Sequence, residues 1–188
     1  LIGPFIGVKL PFTVTQMLWI NLIMDTFAAL ALSTEPPKKS VMYKPPRHPE
    51  SFIVTKSMAI NIFGVALFFM AFLCGALLYI QYDHVPTPYE LSAFFTLFVM
   101  FQFWNLFNAK CLESYESVFS NIFANKSFLI IAISIAIGQF LIVQFGGTIF
   151  RTVPLSMETW IAIIIGSSSV LWIGEIVRLI SRIRNKKA

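Results

Sequence analysis

Five blocks of apolar residues, each near the length of a bilayer core, restrict what this chain can fold into. A hydrocarbon core of about 30 Å takes roughly 20 residues of helix to cross. The blocks run over about residues 12–33, 53–81, 89–109, 128–145 and 157–180. Backbone N–H and C=O groups find no water in lipid, so each block must satisfy its own as a helix. Charge supports this reading. The chain is 57% hydrophobic and only 12% charged, against about 25% charged in a typical soluble domain. Its mean hydropathy is +0.77, and its 20 Phe residues suit a chain whose side chains lipid tails can solvate. The expected fold is all-α: a polytopic membrane helical bundle of five transmembrane helices plus the end of a preceding one.

The breaks between blocks have physical causes. Pro36, Pro37, Pro45, Pro46 and Pro49 forbid a helix across the first loop. Pro86 and Pro88 make a short second turn, Gly146 and Gly147 end the fourth block, and Pro154 precedes the fifth. Residues 1–11 read as the tail of a preceding helix, with Lys9, Leu10 and Pro11 as its outer turn. Leu1 to Gly7 has neither a basic n-region nor a cleavage pattern, and there is no initiator Met, so a piece of a longer protein is expected. Cys74 falls mid-block and Cys111 in a loop, which makes a disulfide framework improbable.

Basic residues give the orientation. Lys38, Lys39, Lys44, Arg47 and Lys56, then Lys110 and Lys126, then Arg178, Arg182, Arg184, Lys186 and Lys187 all fall on one side, twelve of the fourteen. Lys9 and Arg151 lie on the other. The twelve-residue side is expected to be cytoplasmic, with the N-terminus outside and the C-terminus inside. The net charge of +5 then follows from the positive-inside bias and calls for no nucleic-acid partner. The expected surroundings are the lipid bilayer, with some attraction to anionic head groups.

A charge inside lipid costs roughly 2.5–3.5 kcal/mol on insertion scales, so each needs a reason. Seven of the nine acidic residues sit in loops or at block ends. Glu175 lies in the last block, but Arg178 follows one turn later and can pair with it near the interface. Asp25 has no such neighbour. It lies near the middle of the first block, which holds no Lys or Arg, and Asn21 sits one turn back on the same helical face. One reading is a protonated Asp bonded to a neighbouring helix. The functional reading is a pair of hard oxygen donors presented to a dehydrated cation. Two donors cannot complete a calcium shell of six to eight oxygens. In the third block Gln102 and Asn105, one turn apart, and Asn108 offer amides that either line the same cavity or bond helix to helix.

The run QMLWINLIMDTFAALALSTEPP (Gln16 to Pro37) closely resembles the sixth transmembrane helix of P-type calcium ATPases of the plasma-membrane, calmodulin-regulated subgroup. TLFVMFQFWNLFNAK (Thr96 to Lys110) resembles the eighth helix. VFSNIFANKSF (Val118 to Phe128), IVQFGGTIF (Ile142 to Phe150) and PLSMETW (Pro154 to Trp160) resemble the approach to the ninth helix, its outer end and the start of the tenth. The similarity covers essentially the whole chain. It implies that residues 12–188 are the C-terminal transmembrane domain of such a pump, its helices six to ten, in a plasma (inner) membrane. It also implies that Asn21 and Asp25 are ligands to the transported Ca2+. In two-calcium pumps of the family a Thr directly precedes the aspartate and a Glu occupies the eighth-helix position; here those positions are Met24 and Gln102. One calcium per cycle is therefore implied.

No Asp-Lys-Thr-Gly phosphorylation motif occurs, so Mg-ATP would act only in domains outside this chain, and the isolated chain is expected to be inactive. The remaining ion ligands, including a fourth-helix glutamate, would come from the N-terminal remainder of the same pump. The short stretch after Arg178 does not resemble a calmodulin-binding extension, and a microbial source is expected. Two other readings use Asp25 differently: a stand-alone cation or proton carrier or channel, and a structural membrane subunit with Asp25 only hydrogen-bonded. No second copy of the Asn-x-x-x-Asp pattern is present, which weighs against an inverted-repeat carrier.

Overall fold

The computed structural model describes residues 11–36, 52, 54–82, 84–111, 117–120, 122–123 and 125–186, with residues 24, 25, 57, 185 and 186 described by backbone alone. The preceding-helix tail expected over residues 1–8, and most of the proline-rich first loop, lie outside the described residues.

The helix that opens each span begins where the sequence supplies a side-chain cap. Thr13 accepts from the Gln16 backbone N–H while Gln16 Oε1 accepts from that of Thr13, a reciprocal box that opens α1 (Val14–Asn21). A seven-residue π-helical segment, Leu22–Ala28, follows, and α2 (Ala29–Ser33) completes the first span. Thr55 caps α3 (Lys56–Gln81). Thr87 and Glu90 form a second reciprocal box, with Pro88 in the first turn of α4 (Pro88–Lys110), where its missing N–H costs nothing. Asn125 caps α5 (Lys126–Phe145). The short α6 (Gly147–Phe150) starts on a glycine with φ +45° and ends at Arg151 with φ 50°, closing a tight turn between α5 and the last span. Ser156 caps α7 (Met157–Ser167), and α8 (Ser169–Lys186) completes the last span.

Among the described residues five helices are long and apolar enough to cross a membrane: Val14–Ser33, Met58–Gln81, Pro88–Lys110, Lys126–Phe145 and Met157–Arg184. No strand occurs among the described residues. The chain is thus a multi-pass, all-α integral membrane protein, as its hydropathy requires.

Two features correct the expected spans. The first span is not one α-helix but changes hydrogen-bonding pattern in its middle. The last breaks at Ser168, within a run of three serines. Ser167 Oγ donates to Ile164 O (3.2 Å) and Ser168 Oγ to Ile165 O (2.7 Å), and such back-bonding bends helices. The helix also runs on to Lys186, six residues beyond the expected end.

α4 is the hub, packing on α3, α5, α7 and α8. Phe95 and Phe101 are fully buried on it. Lipid tails are as apolar as these side chains, so close packing rather than escape from water holds the helices together. The α3 contact is aromatic: Phe101 meets Phe72 edge-on at 4.9 Å and Phe69 at 5.3 Å. On its other side α4 shares a core with the first span and α5, through Ile23, Ala31, Phe107, Phe128 and Ile135.

Candidate cation site

Asp25 sits fourth in the π segment, and its side chain is outside the described atoms. Asp25 and Thr26 are weak helix formers, and a π segment replaces i→i+4 hydrogen bonds with i→i+5 bonds in a wider turn. Such segments recur at functional sites. Asn21 is the last residue of α1, at the mouth of the segment, and is exposed. A spacing of four residues remains close to one turn in either geometry, so Asn21 and Asp25 stay adjacent along the helix.

The opposite face of the same span is buried. Ile23 is 3% exposed and Ala31 fully buried. Against the C-terminal half of the span lies a cleft of about 260 Å³ walled by Ile23, Ala28, Ala29, Leu32, Gln102 and Asn105, with Phe103, Leu106, Ala109 and Ile135 completing it. Gln102 and Asn105 line this one cleft together. Asn21 is not on its wall. Two amide oxygens in a largely apolar cleft cannot replace a divalent ion's hydration shell. Among the described residues, no group of three or more His, Cys, Asp or Glu side chains is placed to hold a metal ion.

Asn108 does the other job, bonding helix to helix. Its Nδ2 donates to Val170 O (2.9 Å), and its Oδ1 accepts from Arg178 (3.0 Å). Arg178 also pairs with Glu175 at 2.9 Å, as their spacing in sequence suggested. Trp104 Nε1 donates to Ser167 Oγ (3.0 Å), tying α4 to the bend in the last span.

Sequence reasoning missed how the first span is fastened. At its N-terminal end Thr15 Oγ1 donates to Ile149 O (2.9 Å), Gln16 Nε2 to Phe150 O (3.0 Å) and Trp19 Nε1 to Gln139 Oε1 (2.8 Å). At its C-terminal end Asn125 Nδ2 donates to Thr34 O (3.0 Å) and to Glu35 Oε1 (2.9 Å), and Lys110 Nζ pairs with the same oxygen at 3.3 Å. Gln16 and Trp19 were visible as polar atoms in an apolar block, but their partners lie more than a hundred residues away.

The chain matches the family model described as cation transporting ATPase, C-terminus, over residues 9–180. It is 36% identical over 182 residues to the human plasma membrane calcium-transporting ATPase 3, covering 90% of this chain and 15% of that protein. The mouse plasma membrane calcium-transporting ATPase 1 is 34% identical over 188 residues, with 94% and 15% covered. The plasma membrane calcium-transporting ATPase 2 of Oreochromis mossambicus is 35% identical over 188 residues, with 93% and 17% covered. The chain thus spans about a sixth of the length of these relatives. All three are vertebrate proteins and lend no support to a microbial source.

Proposed function

The chain belongs to the C-terminal family of cation-transporting ATPases, and from that premise we propose that it is the membrane segment of an ATP-driven calcium exporter, with Asp25 and Asn21 as its share of the ion's ligands. The observation that carries this reading is the π segment at Leu22–Ala28, centred on Asp25. Interrupted membrane helices let backbone carbonyls join side-chain oxygens around a cation, and calcium accepts both. An ionised Asp25 supplies the charge that the cleft behind it lacks, and Asn21 supplies a neutral carbonyl.

In this reading the remaining oxygens come from the N-terminal remainder of the pump, facing the exposed side of Asn21. Mg-ATP acts there too, and the 188-residue chain alone hydrolyses none. Phosphorylation changes the oxygen count and the access at Asp25, because ATP can drive transport only if the two states differ in calcium affinity. The basic ends face the cytoplasm, so ions leave at the His84 and Arg151 side.

The test is ATP-driven uptake of radioactive calcium into inside-out vesicles containing the full-length protein. Uptake that needs both ATP and an intact phosphorylation domain supports the reading. Calcium flux that persists without ATP contradicts it and favours a channel or carrier.

A further inference from the structure

The first span is fastened at two levels to the same neighbour. Near its outer end Trp19 bonds to Gln139 of α5; at its inner end Thr34 and Glu35 bond to Asn125, the cap of α5. Between these anchors α5 is an unbroken helix of fourteen residues, while the first span threads fifteen. At 1.5 Å per residue the two paths would differ by about one residue's rise if both were α-helical. The π segment lies inside that interval and absorbs the extra residue, because a π turn packs more residues into each turn.

The inner anchor is built to be stiff. Asn125 Oδ1 accepts from the Phe128 backbone N–H (3.0 Å), so its side chain is already held by its capping role while Nδ2 reaches Thr34 and Glu35. The Lys110 side chain is only 8% exposed, and its ammonium also lies 5.0 Å from the centre of the Phe128 ring. Return of the π segment to α geometry would shift the register by one residue. With the outer end fixed, Thr34 and Glu35 would turn by ~100° about the helix axis, away from Asn125 and Lys110.

Resting on the calcium reading above, we propose that Glu35, Lys110 and Asn125 form a positioning clasp that holds the ion-carrying span in its π-helical form and so sets the calcium affinity of Asp25. None of the three touches the ion. They act by fixing one end of the helix whose middle binds it, and a site held in its bound geometry loses less on ordering.

The experiment uses the full-length protein in membranes, with Glu35→Gln, Lys110→Met and Asn125→Asp; the last keeps an N-cap acceptor while removing the amide donor. Phosphorylation from ATP is measured against calcium concentration. Each variant should raise the half-saturating calcium about three- to tenfold, the range expected for loss of one charged hydrogen bond or ion pair, with maximal phosphorylation unchanged. The charge exchange E35K/K110E restores the ion pair but not the Asn125–Glu35 hydrogen bond, so it should lie closer to wild type than either single reversal without reaching it, the cross-pair coupling that contact residues show. Wild-type half-saturation in all three variants, or a fall in the maximum alone, overturns the clasp. If the wild-type protein itself shows no calcium dependence, the calcium reading fails. The clasp is then judged in the same membranes by carbodiimide, which condenses a carboxylate and an amine in contact into an amide. A Glu35–Lys110 cross-link that is absent in wild type overturns it, and one that is present in wild type and lost in Glu35→Gln sustains it.

Discussion

The indole of Trp19 occupies the space a side chain on Gly138 would need: a Cβ there would lie 2.7 Å from the ring. The same indole donates to Gln139 at 2.8 Å, so two consecutive residues of α5 receive one aromatic side chain of the first span. Gly138→Val should therefore push the ring out and cost about 1–3 kcal/mol, the usual range for overpacking. Trp19→Phe removes only the N–H and should cost about 0.6–1.7 kcal/mol, as interhelical hydrogen bonds in membranes do. Unfolding in mixed micelles measures both, and a Gly138→Val variant as stable as wild type would contradict the contact.

A second close approach joins α4 to the last span. The Asn108 amide fills the position of a Cβ on Gly174, while also binding Val170 O and Arg178. Gly174→Ala is expected to displace Asn108 and free Arg178, destabilising the protein by about 1–3 kcal/mol. Asn108→Ala should lose a similar amount by leaving Arg178 without one partner. The double variant should lose less than the sum, because both changes disturb one contact. Full additivity in the same unfolding assay would show that the two residues do not meet.

Orientation can be tested without any assumption about calcium. His84 and Phe123 are both exposed and lie at opposite ends of the bundle, one between α3 and α4 and the other between α4 and α5. In a Cys74→Ser/Cys111→Ser background, His84→Cys should react with a membrane-impermeant maleimide added outside intact cells. Phe123→Cys should react only after permeabilisation. The reverse pattern would invert the bundle.

The spans were legible because lipid leaves a run of about 20 apolar residues few alternatives to a helix. The Glu175–Arg178 pair was legible because it is local. The bend at Ser168 had a visible signal in three consecutive serines, which hydropathy averaging hides. The π segment had none of the usual marks: Leu22–Ala28 contains neither Gly nor Pro. The clasp proposal assigns it to the distance between two anchors on α5, which no local window contains. Glu35 shows the same limit. Beside Pro36 and Pro37 it reads as a loop residue, yet its partners Lys110 and Asn125 lie 75 and 90 positions away. Gln102 and Asn105 are one turn apart in the sequence, but the cleft they line depends on how the first span crosses α4.

The cleft beside Gln102 and Asn105 has amides where a second charged site would need a carboxylate. Transported calcium should therefore stand at one ion per phosphorylation, measured as vesicular calcium uptake against phosphate released under tight coupling. A ratio of two would show that a second site forms from oxygens elsewhere. Gln102→Glu, which adds the missing charge to the cleft wall, is the informative companion. It should alter the calcium dependence without restoring function to a pump that lacks Asp25.

Asp25 itself carries the central claim. The most direct measurement is phosphorylation of the full-length protein from ATP across a range of calcium concentrations, comparing wild type with Asp25→Asn, which keeps the size of the side chain and removes its charge. The calcium reading predicts that wild type is phosphorylated only when calcium is present and that Asp25→Asn is not phosphorylated at any calcium concentration tested. An Asp25→Asn protein with wild-type calcium dependence would contradict it.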